Sequence, residues 1–138
     1  MAVEIDAPVA GRPWLSQYDD GVPQTLAPYP SATLVDVVHG TAVERPDHPA
    51  VIFKGARVSY GEIDRLSDAL ARALSDKGVQ PGERVALLMP NSPQAVIAQF
   101  GAWKSGAIVA PLNPLYTEYE PHGASTGSVR LVLVPAAL

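Results

Sequence analysis

Apolar residues recur at helical spacing between residues 59 and 78. Ser59-Tyr60-Gly61-Glu62 has the form of a capping box, in which the Ser and Glu side chains each accept a hydrogen bond from a backbone N–H group. One apolar face follows at positions i, i+3, i+7 and i+11, formed by Ile63, Leu66, Leu70 and Leu74. Gly78, with Pro81 shortly after it, is a helix stop signal. The pattern therefore predicts an amphipathic helix that ends at Gly78.

Two shorter patterns precede this helix. The first pattern begins at Ser31-Ala32-Thr33 and ends at Glu44-Arg45-Pro46. Between them, four apolar residues fall at helical spacing: Leu34, Val37, Val38 and Ala42. Residues 50–54 and 56–59 are short apolar-rich runs on either side of Gly55, a residue that readily takes the positive φ of a tight turn. We expect a first helix and then a β-hairpin.

A buried parallel sheet is indicated further along the chain. Residues 85–89 form a continuous apolar run, as in a strand that is covered on both faces. Ser92-Pro93 is typical of a helix start, and this helix should stop at Gly106 and present Ala95, Val96, Phe100 and Trp103. Residues 107–110 are the next strand. Strand, helix and strand at this spacing predict a right-handed βαβ unit and an α/β fold.

Residues 1–30 lack helical or strand periodicity and are rich in proline, with Pro8, Pro13, Pro23, Pro28 and Pro30. Because proline fixes φ and lacks a backbone donor, we expect an extended arm here. Trp14, Leu15, Tyr18 and Tyr29 make the arm too apolar for a plain linker. It either docks on its own domain or packs on a partner subunit, so the predicted organisation is an arm (1–30) and a domain (31–138).

Composition excludes several classes of function. The chain has 138 residues, of which 47% are hydrophobic and 17% charged, as in a globular domain. Its formal charge of −4 and scattered basic residues argue against nucleic acid as a partner. The absence of Cys excludes disulfides and thiolate chemistry. No apolar run approaches a membrane span or a signal peptide, so we expect no transmembrane segment and a cytoplasmic location.

Taken in order, several segments resemble the beginning of the adenylate-forming (AMP-dependent) acyl-CoA synthetases, in their long-chain fatty-acid–CoA ligase branch. Trp14-Leu15, Tyr18 and Val22-Pro23 are similar to the opening of that branch. The capping box beginning at Ser59, residues 82–92, residues 106–109 and Asn113-Pro114-Leu115-Tyr116-Thr117 match in type and spacing. The resemblance covers about residues 13–118. It implies the start of the family's large N-terminal domain, a three-layer sheet of which this chain holds a βαβ part.

The resemblance also implies a two-step reaction in the full-length enzyme. ATP and Mg²⁺ convert a fatty acid into an acyl-adenylate with loss of pyrophosphate, and the thiol of coenzyme A then displaces AMP. The family's phosphate loop, its Mg²⁺-binding Glu, its ribose-binding Asp and Arg and its catalytic Lys all belong to later segments of its sequence. We therefore assign no catalytic, cofactor-binding or metal-binding residue here, and expect the chain to be catalytically incomplete and to bind none of these cofactors itself.

One segment has the composition of a phosphate loop. In the same region the sequence differs from the pattern of the family. Gly123-Ala124-Ser125-Thr126-Gly127-Ser128 has the small residues of such a loop but neither a preceding buried strand nor a following Lys, so we interpret it as a polar loop. Pro121 and this cluster replace an amphipathic helix of the relatives, whereas residues 129–134 resemble their next strand. A frame disruption that later recovers and a divergent loop both explain this. The end at Leu138 favours gene decay, a sequencing error or a partial gene over a specialised short protein.

Isolated polar and aromatic residues are given structural interpretations. His39, His48 and His122 lack the converging spacing of metal ligands and are expected at the surface. Glu118 and Glu120 do not share a face on a strand or a helix, so they are not a catalytic carboxylate pair. Phe100 and Trp103 are expected to fill the core, and Lys54 and Arg57 to be solvated.

Three functional hypotheses follow. The first is a part of a long-chain fatty-acid–CoA ligase. The second is a non-catalytic fragment that binds a full-length relative, or forms a homodimer, through its arm and sheet edge. The third, a free-standing Rossmann domain, lacks a Gly-x-Gly-x-x-Gly turn and is disfavoured. A sheet cut after about four strands exposes apolar surface, so we expect low solubility of the isolated chain.

Overall fold

The computed structural model describes residues 13–113 and 129–134, and the chain divides into two compact units, residues 1–32 and 33–138. In the first unit, a short 3₁₀-helix spans Pro13–Gln17, and the N–H of Tyr18 donates to the carbonyl of Leu15 at 3.3 Å. The proline-rich sequence predicted an extended segment here and no helix. A single 3₁₀ turn still forms because it requires only local i→i+3 hydrogen bonds.

The second unit begins with helix α1, Leu34–Glu44, as the apolar spacing predicted. A capping box starts it. Thr33 Oγ1 accepts from the N–H of Asp36 at 3.2 Å, and the Asp36 carboxylate accepts from the N–H of Thr33 at 2.8 Å. Ala42 is buried, whereas Leu34 and Val37 are exposed. The apolar face of α1 is therefore only partly covered in the described structure.

A hairpin of strands β1 (Pro49–Phe53) and β2 (Ala56–Ser59) follows, and it confirms the predicted hairpin. Phe53 pairs with Ala56, which leaves a two-residue turn of Lys54 and Gly55. Both turn residues have positive φ, +48° and +82°, as a type I′ turn requires. The sequence signal was the glycine, and the lysine accepts the left-handed conformation to complete the turn.

Helix α2, Tyr60–Asp76, has both predicted ends. Ser59 and Glu62 form the reciprocal capping box, with distances of 3.2 Å from the Glu62 N–H to Ser59 Oγ and 2.8 Å from the Ser59 N–H to the Glu62 carboxylate. At the other end, Gly78 has φ +84°. The N–H of Val79 donates to the carbonyl of Leu74 at 3.0 Å, which is the longer bond of a Schellman motif.

The predicted βαβ unit is present. Strand β3 spans Arg84–Leu88, helix α3 spans Pro93–Lys104 and strand β4 spans Ile108–Leu112. A further strand, β5 at Val129–Leu133, lies on the other side of β3, so the sheet order is β4-β3-β5 with all described pairings parallel. These elements confirm the α/β class and the strand expected after residue 128.

The hydrophobic core lies between helices α2 and α3 and one face of this sheet. Val85 and Leu87 are its sheet contribution, and Leu74, Val79, Ala98, Ala102 and Ala107 complete the buried cluster. Helix α3 therefore buries a small-residue face rather than its aromatic residues. Phe100 and Trp103 are half-buried, lie edge-to-face at 5.4 Å between ring centroids and are not part of this cluster, so the expectation that they fill the core was wrong.

Small residues on α3 permit a close approach to α2. A Cβ atom at Gly101 would lie 2.8 Å from Cδ2 and 2.9 Å from Cβ of Leu70. Both distances are shorter than any ordinary carbon–carbon contact, and the second involves an atom that a rotamer change cannot move. The helix pair therefore depends on the absence of a side chain at Gly101.

The opposite face of the sheet is mostly apolar and partly exposed. Period-two alternation and the strand register place eight residues on it, which we call the outer sheet face: Arg84, Ala86, Leu88, Ile108, Ala110, Leu112, Arg130 and Val132. Ile108 is 49% exposed and Val132 is 50% exposed, whereas Ala86 on the central strand is buried. Within the described residues, α2 and α3 cover only the other face.

Candidate functional site

The carboxyl ends of the three parallel strands meet at one edge of the sheet, where α/β proteins usually bind their ligands. Strand β3 leads through Pro90 and Asn91 into Ser92, and β4 leads into Asn113. Ser92 is the N-cap of α3, and its Oγ accepts from the N–H of Ala95 at 3.3 Å. Pro93 is buried directly after this cap. The turn between β3 and α3 therefore forms this edge, and the local Ser92-Pro93 helix start determines its conformation.

The side chains at this edge are neutral hydrogen-bonding groups. Asn91 and Asn113 are exposed, and Ser92 is half-buried. An amide or a hydroxyl can bind and orient a polar ligand, but neither supplies acid–base catalysis, and a serine needs an adjacent base to act as a nucleophile. This edge can therefore contribute to binding but does not by itself constitute an active site.

A charged cluster lies elsewhere, on the surface shared by α1, α2 and α3. The Lys104 Nζ atom donates to Asp64 Oδ1 at 2.7 Å, to Asp68 Oδ1 at 2.7 Å and to the carbonyl of Asp64 at 3.1 Å. The second oxygen of Asp64 lies 3.0 Å from Nδ1 of His39 on α1. All three ammonium protons thus have acceptors on α2, and Asp64 links all three helices.

Burial and pairing compete in setting the pKa values of this cluster. Burial alone would raise the pKa of Asp64, but hydrogen bonds from Lys104 and His39 outweigh it and the net pKa is lowered. Burial would likewise lower the pKa of Lys104, but its hydrogen bonds to Asp64 and Asp68 hold the net pKa above the usual value. A lysine that keeps its proton has no free electron pair, so Lys104 is not a nucleophile. We interpret the cluster as a structural ion-pair network.

Two grooves border this network, each of about 530 to 550 Å³. One is lined by the start of α1, Trp103 and Lys104, and the other includes His39, Asp68 and Arg72. The described residues of their lining combine apolar and ion-paired groups and include no pair of a nucleophile and a base. Within the described part of the chain, neither groove adds a reaction centre.

The structure gives His39 a partner that its position in the sequence did not predict. His39 is at the surface as expected, but its partner Asp64 lies 25 positions away and no spacing rule could identify it. His48 is also exposed, and its ring stacks on Tyr60 at 6.2 Å between centroids. Lys54 and Arg57 are exposed, as expected. No group of three potential metal-ligating side chains occurs in the described residues.

Several predictions concern residues outside those that the structure describes. They are the interpretations of His122, of the Glu118 and Glu120 pair and of the polar loop at residues 123–128. These interpretations remain predictions. Among the helices of residues 13–113, none is long and apolar enough to cross a membrane.

Comparisons with known proteins place the chain in a family. The family model described as "AMP-binding enzyme" matches residues 38–134. A long-chain-fatty-acid–CoA ligase of Bacillus subtilis is 41% identical over 111 residues, which is 79% of this chain and 19% of that protein. A ligase of the same name from Yersinia pestis is 37% identical over 124 residues, covering 88% of this chain and 22% of its own length. The chain thus spans about a fifth of the length of these relatives.

Solved structures give the same result for the fold. The N-terminal subdomain of Klebsiella oxytoca NpsA, in complex with 3-hydroxybenzoyl-AMSN, matches with a TM-score of 0.68 and 26% identity over 75% of this chain and 28% of that one. A fatty acid AMP ligase from Legionella pneumophila matches with a TM-score of 0.57 and 30% identity over 62% of this chain and 16% of that one. The predicted resemblance is confirmed, and the chain belongs to the AMP-binding enzyme family, in which it resembles the N-terminal part of the long-chain fatty-acid–CoA ligases.

Proposed function

We propose that this chain is the N-terminal portion of a long-chain fatty-acid–CoA ligase, and that its role in that enzyme is architectural. The observation that carries the proposal is the 41% identity to the Bacillus subtilis ligase over 79% of this chain. The reaction of the complete enzyme would use a fatty acid, ATP with Mg²⁺, and coenzyme A. Residues 1–30 would form its arm and residues 31–138 the beginning of its synthetase domain.

The described residues do not fit a site for ATP, Mg²⁺ or coenzyme A. The carboxyl edge of the sheet offers the neutral groups Asn91, Ser92 and Asn113, and the described part of the chain contains no cluster of carboxylates and histidines for a metal ion. We therefore infer that the catalytic groups of the ligase belong to the other four fifths of the family's sequence. The cytoplasmic location expected from the sequence stays a prediction.

A chimeric enzyme tests this proposal. The complete 138-residue chain would replace the matched N-terminal segment of the Bacillus subtilis ligase, and acyl-CoA formation would be measured with a long-chain fatty acid, ATP and coenzyme A. We expect activity in the chimera and none in a control ligase from which the segment is deleted. A folded chimera without activity would contradict the proposal.

The isolated chain provides a second measurement. Fatty-acid-dependent exchange of pyrophosphate into ATP reports the first half-reaction alone, and we expect none from these 138 residues. Exchange above that of a heat-denatured sample would show that catalytic groups do lie in this chain.

The incompletely covered sheet face favours a second candidate function, a non-catalytic fragment that binds a full-length relative. Ile108 and Val132 supply exposed apolar surface for such a contact. A homodimer through residues 1–30 belongs to the same candidate. Co-expression of the tagged chain with the intact Bacillus subtilis ligase tests it, since stoichiometric co-purification would support a binding role and separate elution would exclude it.

A further inference from the structure

A sharp turn follows the 3₁₀-helix of the first unit. The N–H of Val22 donates to the carbonyl of Asp19 at 3.1 Å, so Asp20 and Gly21 occupy the two central positions of a β-turn. Gly21 has φ +90°, as a type II turn requires at its third residue. Apart from the chain neighbours, no atom lies within 4 Å of the place that a Cβ at Gly21 would take. The turn is therefore open on the side of the glycine.

The polar groups of the two central residues are not held by other parts of the chain. Both residues are exposed, as are all residues from 16 to 32. Within residues 13–113 and 129–134, the Asp20 carboxylate accepts no hydrogen bond and forms no ion pair, and the N–H of Gly21 donates to no acceptor. A side-chain carboxyl group and the backbone nitrogen that follows it are thus both available to react with each other.

Asp20 differs from the other aspartates of the chain in the residue that follows it. Asp20-Gly21 is the one aspartate–glycine pair in the sequence. Because glycine has no β-carbon, nothing on it hinders the approach of its nitrogen to the preceding side chain. Asp36 and Asp64 lie instead in helices that fix their backbone, and their carboxylates accept hydrogen bonds at 2.8 Å and 2.7 Å. Among the described aspartates, only Asp20 combines an open turn with a following glycine.

We propose that Asp20-Gly21 is a site of spontaneous isoaspartate formation. The backbone nitrogen of Gly21 attacks Cγ of Asp20, the new N–Cγ bond closes a succinimide ring, and the amide proton leaves with the carboxyl hydroxyl group as water. Hydrolysis then returns one water to the ring. Breaking the N–Cγ bond restores aspartate, whereas breaking the bond from the nitrogen to the backbone carbonyl carbon leaves the chain running through Cβ and Cγ. Water is the only co-reactant, and nothing is oxidised or reduced.

The product changes the main chain at the turn. An isoaspartyl residue adds one methylene group to the main chain and converts the former backbone carbonyl into a free carboxylate. The ring closed by the hydrogen bond from Val22 to Asp19 would then contain one more atom, so the type II turn is lost. The new carboxylate is also the group that isoaspartyl methyltransferases esterify with a methyl group from S-adenosylmethionine. The modified chain is therefore a substrate for this class of enzyme, and the unmodified chain is not.

Ageing of the purified 138-residue chain tests the proposal. The protein is incubated at neutral pH and then dissolved in urea, so that aggregated chains are counted as well. Methyl groups transferred by an isoaspartyl methyltransferase measure the isoaspartate, and peptide mapping locates it. We expect it to accumulate in the peptide that contains Asp20, as fast as in a chain kept unfolded in urea, because an exposed turn gives no protection.

Three variants separate ring formation from general ageing. Asp20→Glu keeps the charge but requires a larger ring, so we expect the signal from this peptide to be lost. Gly21→Ala places a β-carbon beside the attacking nitrogen and should slow the reaction. Asp47→Glu, at an exposed aspartate followed by His48, is the matched control and should leave the signal unchanged.

Two results would overturn the proposal. Equal accumulation in the wild type and in Asp20→Glu would place the modification at another residue. A folded chain that is modified much more slowly than the unfolded chain would show that the fold protects the turn. Neither result depends on the proposed ligase function, because the reaction uses only Asp20, Gly21 and water.

Discussion

Lys104 on α3 forms ion pairs with two aspartates of α2. Its side chain is 10% exposed, and its ammonium group contacts Asp64 and Asp68 one and two turns along α2. The two aspartates are four positions apart, so they project from the same side of that helix. Because Asp64 also contacts His39, one carboxylate connects α3 to α1.

We expect Lys104→Met to lower the free energy of unfolding by about 1–3 kcal/mol. Removing one member of a largely buried pair leaves the other charge without compensation, and partial solvation of Asp68 reduces the full penalty. Urea denaturation at low protein concentration measures the effect. Lys77→Met, at an exposed position after α2, is the matched control and should change stability by less than about 0.5 kcal/mol. Equal effects of the two substitutions would show that the network does not stabilise the fold.

The lowered pKa of Asp64 has a pH consequence with a defined sign. A carboxylate whose pKa is lower in the folded state adds stability above its unfolded pKa, which is near 3.8, and loses that contribution as the pH falls through the folded pKa. We expect the stability difference between the wild type and Asp64→Asn to be fully present at about pH 5 and to shrink below about pH 4. Denaturant titrations at stepped pH measure it. In a Lys104→Met background, the acid-dependent loss of stability that Asp64 causes should be much smaller. If that loss is unchanged, a group other than Lys104 lowers the pKa of Asp64.

At the scale of elements, the contact between α2 and α3 depends on small residues. The helix pair buries Ala98, Gly101 and Ala102 of α3, and Leu70 of α2 lies against Gly101. Phe100 and Trp103 on the same helix are only half-buried and do not belong to the buried cluster, which the apolar periodicity did not predict. Periodicity identifies apolar positions, whereas the distance between two helices depends on which of those positions are small.

Two glycine-to-alanine substitutions in helices should have opposite effects. In Gly101→Ala the new methyl group would meet Leu70 at 2.8 Å, so we expect a loss of about 1–3 kcal/mol in unfolding free energy. In Gly40→Ala on α1 the added carbon has open space around it apart from the helix's own backbone, so we expect a gain of up to about 1 kcal/mol from helix propensity. Thermal and urea denaturation compare the two. A stabilising Gly101→Ala would contradict the close α2–α3 packing.

At the scale of the whole molecule, stability is distributed unevenly over the second unit. The buried cluster joins β3, α2 and α3, and Val85 and Ala102 are fully buried. Helix α1 contributes one buried residue, Ala42, and leaves Leu34 exposed. Segments with few buried contacts open at a lower free energy than the core does.

Hydrogen exchange should therefore separate these segments. We expect the amides of β3 and of the second half of α3 to exchange slowest, and those of α1 to exchange at least about tenfold faster, since local opening of α1 exposes little apolar surface. Exchange followed by mass spectrometry resolves the peptides of each helix. Equal protection of α1 and α3 would indicate that the two helices unfold in a single cooperative step.

Caps, turns and helix stop signals, which depend only on neighbouring residues, were sufficient to predict most of the helices and strands. The capping box at Ser59, the turn at Gly55, the stop at Gly78 and the Ser92-Pro93 helix start each act within a few residues, so each was visible in the sequence. The ordered set of such segments also identified the family. The expected absence of catalytic residues remains a prediction, because the structure does not test it.

The α/β class and the order of the helices and strands were predictable from the sequence, since they depend on periodicity, capping and turn chemistry between near neighbours. The family was predictable because ordered segments of this chain resemble it. Only the packed fold shows which apolar residues are buried, why Gly101 carries no side chain and how Lys104, Asp64 and His39 meet. It also leaves Ile108 and Val132 about half exposed on the sheet. These features join residues that are distant in the chain, and their energies depend on distances that no local pattern encodes.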